Sequence, residues 1–87
     1  MAGPVWREID LHGMDRVSAR RLVMETLENC RRAGVKRLRI VHGKGTGVLR
    51  DEVRHVLGEY AAVEDMRTAP PREGGDGAVE VRLDWSR

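Results

Sequence analysis

The sequence predicts an α/β domain of the α+β kind, with two helices laid on one face of a four-stranded sheet. Three observations point there. Four short stretches alternate apolar with polar residues, and two longer stretches repeat their apolar residues at helical spacing. The apolar residues are aliphatic: there is no Phe, and Trp6, Tyr60 and Trp85 are the only aromatics. With 87 residues, the chain has room for one core and predicts one domain over residues 1–87, its core at about 8–84.

Each element follows from local chemistry. Residues 5–11, Val-Trp-Arg-Glu-Ile-Asp-Leu, alternate as a strand with Ile9 and Leu11 on one side, and His12-Gly13 ends it. Asp15 is a fitting N-cap for a helix that places Ala19, Leu22, Val23, Thr26, Leu27 and Cys30 on one face, and Gly34 closes it. Residues 36–41 form a second strand, with Leu38 and Ile40 inward and Arg37 and Arg39 outward. A glycine loop leads into a second helix reaching about Ala62, with a stripe of Leu49, Val53, Val56, Leu57 and Tyr60; Gly58 lies off the stripe. Val63–Thr68 reads as a third strand, and 69–77, with its Pro-Pro pair and three glycines, as a loop. Val79, Val81 and Leu83 alternate with Glu80, Arg82 and Asp84 in the last strand. The order is βαβαββ.

That order has a consequence for chemistry. Strand–helix–strand connections are right-handed and leave the joined strands parallel. If the first two strands pair, their C-terminal ends lie side by side, where ligands of open α/β sheets bind. Topology alone would then bring His12-Gly13 beside His42-Gly43.

Composition narrows the function classes. Cys30 is the only cysteine, so no internal disulfide or cysteine-based zinc site can form. No apolar run approaches the ~18 residues a membrane span requires, and nothing resembles a signal peptide. A cytoplasmic location without a membrane partner is expected. Net charge is +2 but uneven: residues 31–54 carry a net +6, leaving −4 for the rest. Such polarity suits a polyanion held on one side, but a charge run by itself is more often a salt-bridged, solvated surface.

Three segments carry candidate chemistry. In His42-Gly43-Lys44-Gly45-Thr46-Gly47, alternate glycines let successive N–H groups curl toward one anion. The following helix adds its unpaired N–H groups and positive dipole end, Lys44 and Arg50 add charge, and Thr46 can cap the helix or donate to a phosphate oxygen. No Gly-Lys-Ser/Thr occurs, and the glycine spacing does not fit a dinucleotide fingerprint, so ATP and NAD are not expected ligands. Asp10, His12 and His42 form the second group. Phosphodiester cleavage needs a base, an acid and cations for developing charge, and these residues with Lys44 can supply them. Asp10 and the histidines also admit a divalent ion such as Mg²⁺ or Mn²⁺, though Asp-x-His is a weak ligand pattern. His55 points to solvent on the second helix and takes no role. The third segment, Gly74-Gly75-Asp76-Gly77, reads by itself as a turn.

Together the three segments resemble the Smr (small MutS-related) domain. Its Leu-Asp-Leu-His-Gly motif is similar to Ile9-Asp10-Leu11-His12-Gly13. Its His-Gly-x-Gly-x-Gly motif is intact at 42–47, with Val-Leu-Arg at 48–50. Its Ala-Pro-Pro and Gly-Gly-x-Gly segment is similar to 69–71 and 74–77. One departure is Val79, where the family usually has Thr. The resemblance implies a two-layer sandwich like the C-terminal domain of translation initiation factor three, with only the last strand antiparallel. It implies a nicking endonuclease acting on DNA, or in some relatives RNA, with Asp10, His12 and His42 as catalytic candidates and Gly43–Gly47 as the substrate loop. It also implies origin as the C-terminal domain of a bacterial MutS paralogue with an upstream ATPase.

Two functions stay open at this level. One is a nuclease that nicks branched or duplex DNA in recombination and repair. The other is a non-catalytic module docking on DNA, RNA or stalled and collided ribosomes. A third, a protein–protein adaptor, would leave the glycine loop unexplained. Scarce aromatics argue against base stacking and for recognition of the backbone.

Overall fold

The computed structural model describes residues 6–86. Strand β1 covers Trp6–Asp10, helix α1 Arg16–Ala33, strand β2 Arg37–Val41, helix α2 Val48–Glu59, strand β3 Val63–Thr68 and strand β4 Ala78–Leu83. Two 3₁₀ turns, Pro71–Glu73 and Gly75–Gly77, break the long loop before β4. The expected order is present. Val5, read as the start of the first strand, lies outside the described residues, and Leu11 falls just past β1 while still donating its N–H to the Val41 carbonyl at 2.7 Å.

The sheet order is β1-β2-β4-β3. Strands β1 and β2 are parallel, and β4 runs antiparallel to both β2 and β3, so only the last strand is reversed. In this register Ile9 sits beside Ile40, Ile40 beside Val79 and Leu38 beside Val81. The period of two puts those side chains on one face. There they join Ala19, Val23, Leu27 and Cys30 of α1 with Val53, Val56 and Leu57 of α2 in one buried cluster. Both helices therefore cover the same face.

Helix α1 is delimited as its sequence dictates. Asp15 accepts from the Ser18 N–H at 2.8 Å, and Gly34 adopts φ 69°, a left-handed conformation that costs glycine little. Helix α2 is shorter than its apolar stripe implied. It ends at Glu59, and Tyr60 turns to an extended conformation (φ −92°, ψ 115°). Gly58 weakens the final turn, Tyr60 packs edge-on against Trp85 at 6.2 Å, and the Ala62 carbonyl accepts the Asp84 N–H. Tertiary contacts thus take the residues that would have extended the helix.

The helix-free face of the sheet is a charge network. Arg39 bonds Glu8 at 3.2 Å, Glu73 at 3.0 Å and Glu80 at 2.9 Å, and both Arg37 and Arg39 lie over the Trp6 ring. Of the two readings of residues 31–54, a salt-bridged surface fits better than one basic side. Arg31 and Arg32 pair with Glu28, Arg37 and Arg39 face away from the helices, and Arg54 reaches Thr68. A run of charges in sequence is dispersed here by the turn from helix to strand. Among the described residues, no helix is long and apolar enough to cross a membrane.

Candidate nucleic-acid interface

The parallel pairing of β1 and β2 sets Asp10 opposite Val41, so the two His-Gly turns leave the sheet side by side. Between them and the first turns of the helices lies a cleft of about 610 Å³. Its walls include His12, His42, the whole Gly43–Gly47 loop and Arg50, together with Arg16 of α1. The topological argument from sequence is met: two histidines thirty residues apart line one cavity. Arg16 was not anticipated, because a helix-start arginine carries no signal until α1 is set beside α2.

Asp10 and His12 form a local dyad. The Asp10 Oδ1 accepts the His12 backbone N–H at 3.0 Å and its Nδ1–H at 2.7 Å. An ionised carboxylate only accepts, so the proton must sit on Nδ1 and the ring offers Nε2 outward. These two bonds, the backbone one foremost, hold the Asp10 carboxyl below its ordinary value. A depressed carboxylate contributes stability above its unfolded pKa and loses it as pH falls through the folded value. Carbon-detected titration should therefore place the Asp10 midpoint below 3.8. In His12→Ala the midpoint should rise only part of the way back, since the backbone bond survives.

His42 is nearly enclosed, at 6 % exposure. Its Nδ1 lies 2.8 Å from the Gly43 carbonyl, which can only accept, so this ring too carries its proton on Nδ1 and keeps Nε2 for another partner. Both histidines thus have the same tautomer fixed by a short local bond.

The glycine loop is shaped by its neighbours. Gly43 and Gly47 take φ +87° and +90°, a region in which side-chain-bearing residues are strained, and a Cβ on Gly43 would stand 3.4 Å from the His12 Cβ. Gly47, with no capping side chain, is the N-cap of α2; Thr46 Oγ1 stands 3.5 Å from the Val48 N–H, too long for an effective cap. Capping by Thr46, one of the two roles read from sequence, is therefore corrected: its hydroxyl remains exposed to the cleft. Lys44 is exposed and makes no ion pair among the described residues. Arg50 lies 3.4 Å from Asp51.

The third segment does more than turn the chain. The Gly77 carbonyl accepts both the His42 N–H at 2.8 Å and the Gly43 N–H at 2.9 Å. A Cβ on Gly77 would meet Lys44 Cγ at 3.1 Å and the Gly43 carbonyl carbon at 3.4 Å. Gly74, at φ +116°, and Gly75, at +53°, shape the turns leading to it, and Glu73 ties this loop to Arg39. None of the three glycines lines the cleft; they hold the loop that does. Val79 is fully buried between Ile40 and Thr68, so its side chain offers the cleft nothing polar. His55 is exposed and pairs with Glu59 at 3.1 Å. Among the described residues, no three His, Cys, Asp or Glu side chains gather as a metal-binding group, and Asp10 Oδ1 is already committed to His12. The donor set does not fit a resident Mg²⁺ or Mn²⁺ held by protein ligands alone.

Comparison with known proteins agrees with this geometry. The chain matches the family model described as the Smr domain over residues 9–84. It is 43% identical over 76 residues to Endonuclease MutS2 of Carboxydothermus hydrogenoformans, covering 87% of this chain and 10% of that protein. It is likewise 43% identical over 77 residues to Endonuclease MutS2 of Thermus thermophilus, covering 88% and 10%. The chain thus spans about a tenth of the length of these relatives. The crystal structure of the Smr domain of Thermus thermophilus MutS2 superposes with a TM-score of 0.86 at 42% identity, covering 90% of this chain and 98% of that one. YdaL, a stand-alone small MutS-related protein from Escherichia coli, does so with a TM-score of 0.86 at 26% identity, covering 91% and 67%. A motif match running through nearly every element, on the same arrangement of strands and helices, means that the chain belongs to the Smr domain family.

Proposed function

We propose that the cleft binds the phosphodiester backbone of nucleic acid and nicks one strand of branched or duplex DNA, in recombination and repair. The observation that carries this reading is the meeting of His12, His42 and the Gly43–Gly47 loop in one cavity, with Asp10 bonded to the His12 ring although it does not itself line the cleft. The relatives named Endonuclease MutS2 support it, and in a protein of that kind the domain would work beside an upstream ATPase.

The chemistry divides among named groups. One imidazole Nε2 takes a proton from the attacking water, whose oxygen bonds to phosphorus. The P–O bond to the leaving oxygen breaks, and the other histidine, as imidazolium, returns a proton to that oxygen. Asp10 keeps the His12 ring in its tautomer and direction. Lys44 and the loop N–H groups meet the negative charge that grows on the phosphate oxygens. Recognition is of backbone and shape. None of the three aromatic rings lines the cleft: Trp6 lies on the helix-free face, while Tyr60 and Trp85 pack on each other.

The test compares wild type with His12→Ala and Lys44→Ala on supercoiled plasmid, a four-way junction and an RNA hairpin, each with and without EDTA. Nicked plasmid from the wild type, lost in His12→Ala, is expected. Lys44→Ala should bind more weakly and lower the slope of log K against log salt by about 1. Wild type that binds all three but cuts none would reduce the domain to a non-catalytic module docking on DNA, RNA or stalled and collided ribosomes. RNA cut in preference to DNA would move the substrate class. Persistence of nicking in EDTA would show that His12, His42 and Lys44 suffice.

A further inference from the structure

Helix α1 has a second stripe that the core does not use. Val17 and Met24 are 57% and 48% exposed, and Arg20 and Arg21 stand between them, giving the i, i+3, i+4, i+7 spacing by which one helix recognises another. This stripe forms one wall of a groove of about 550 Å³ whose other wall is α2, with Val56 and Tyr60 at its floor. The groove is distinct from the cleft. It shares no lining residue with it, and the Arg16–Glu52 pair at 3.6 Å joins the two helices between them.

The groove's charge selects its occupant. Arg20 and Arg21 form no ion pair among the described residues. The carboxylate on the rim, Glu59, is already engaged by His55. The Tyr60 hydroxyl makes no hydrogen bond among the described residues and is free to donate. An apolar floor with uncompensated guanidinium groups above it matches a helix whose apolar stripe is flanked by Asp and Glu. Bare phosphate backbone would leave the Val17 and Met24 surfaces unused, and a second copy of this basic stripe would repel the first. We infer that the α1–α2 groove is a docking site for an acidic amphipathic helix of a partner protein. The exposed stripe from Val17 to Met24 covers about two helical turns, so the contact is short and its affinity modest.

The probe is an end-capped peptide of about 14 residues, long enough to be partly helical, built from Glu, Ala and Leu with leucines at i, i+3, i+4, i+7 and i+11. Titrated into ¹⁵N-labelled domain, it should shift the amides of Val17, Arg21, Met24 and Tyr60 and leave those of Gly43–Gly47 in place. Arg20→Glu with Arg21→Glu should weaken binding at least about 10-fold. Val17→Ser with Met24→Ser should weaken it similarly. All four positions are on the surface, so unchanged amide dispersion verifies the fold. Shifts confined to the glycine loop would mean that the peptide mimics a polyanion in the cleft, and would overturn the inference. Groove shifts produced by a DNA duplex, or by raising protein concentration alone, would assign the groove to nucleic acid or to self-association and would overturn it equally. Plasmid nicking is measured on the same variants. It should be unchanged, which separates failure here from failure of the nuclease reading.

Discussion

His42→Ala is expected to lower plasmid nicking by roughly 100-fold or more, the range for removing a positioned acid or base, while salt-sensitive DNA binding survives. The asymmetry follows from where the side chain sits. His42 is almost buried, with Nδ1 held by its neighbour's carbonyl, so the atom left for chemistry is Nε2. In the proposed reading, binding rests on exposed Lys44, Arg50 and the loop N–H groups, which need the backbone of residue 42 and not its ring. Quantifying nicked circles on a gel beside a fluorescence-anisotropy titration reads both properties. If the variant cuts as well as the parent, His42 is a structural residue of the loop and His12 must carry the chemistry with another partner. His42→Gln keeps an amide donor for the Gly43 carbonyl but offers no titrating nitrogen, so it should hold the loop yet still fail to cut.

The second large effect is expected at Leu11→Ala, at about 2–5 kcal/mol of lost stability, the range for truncating a buried leucine. A chain of this length has a total near 4–13 kcal/mol, so the variant would approach the threshold of unfolding. Leu11 is fully buried, and its N–H is bonded to Val41 across the β1–β2 pair. It lies between Asp10 and His12 in sequence, so the same side chain that fills the core pins both members of the dyad. Urea unfolding followed by circular dichroism reads the stability. Nicking assayed well below the new midpoint temperature reads the site. Leu11→Ile, which keeps the volume, should cost less than about 1.5 kcal/mol and retain activity. A variant as stable as the parent would show that Leu11 is dispensable to the core.

Much of this was legible in the sequence, for reasons that differ by element. Alternation at Leu38-Arg39-Ile40 and Val79–Leu83 marks strands because only one face is buried, and β3 fell on Val63–Thr68 as read. Asp15 and Gly34 announce the ends of α1 because each has a conformational or capping role few residues fill. The meeting of the two His-Gly turns followed from the parallel strand–helix–strand crossover together with the pairing of the first two strands, which the structure shows. Other features depend on contacts that no local pattern encodes. The shortened α2 is decided by Trp85, twenty-five residues beyond Tyr60. The role of Gly77 is a carbonyl, identical in every residue, and what distinguishes this one is where the loop delivers it. The scattering of the basic run required knowing that Arg39 would meet Glu8, Glu73 and Glu80 from three separate segments.

The double grip of Gly77 on His42 and Gly43 also dictates when the site can come into being. The Asp10–His12 contact spans two residues and can form as soon as that turn does. Bringing His42 beside it must wait for α1 to close a loop of some thirty residues, and fixing it must wait for the chain to reach residue 77, on the threshold of β4. A nascent or truncated chain lacking the final strand would possess every side chain of the cleft without the cleft itself. If the cleft acts on a phosphodiester as proposed, that competence is coupled to completion of the sheet.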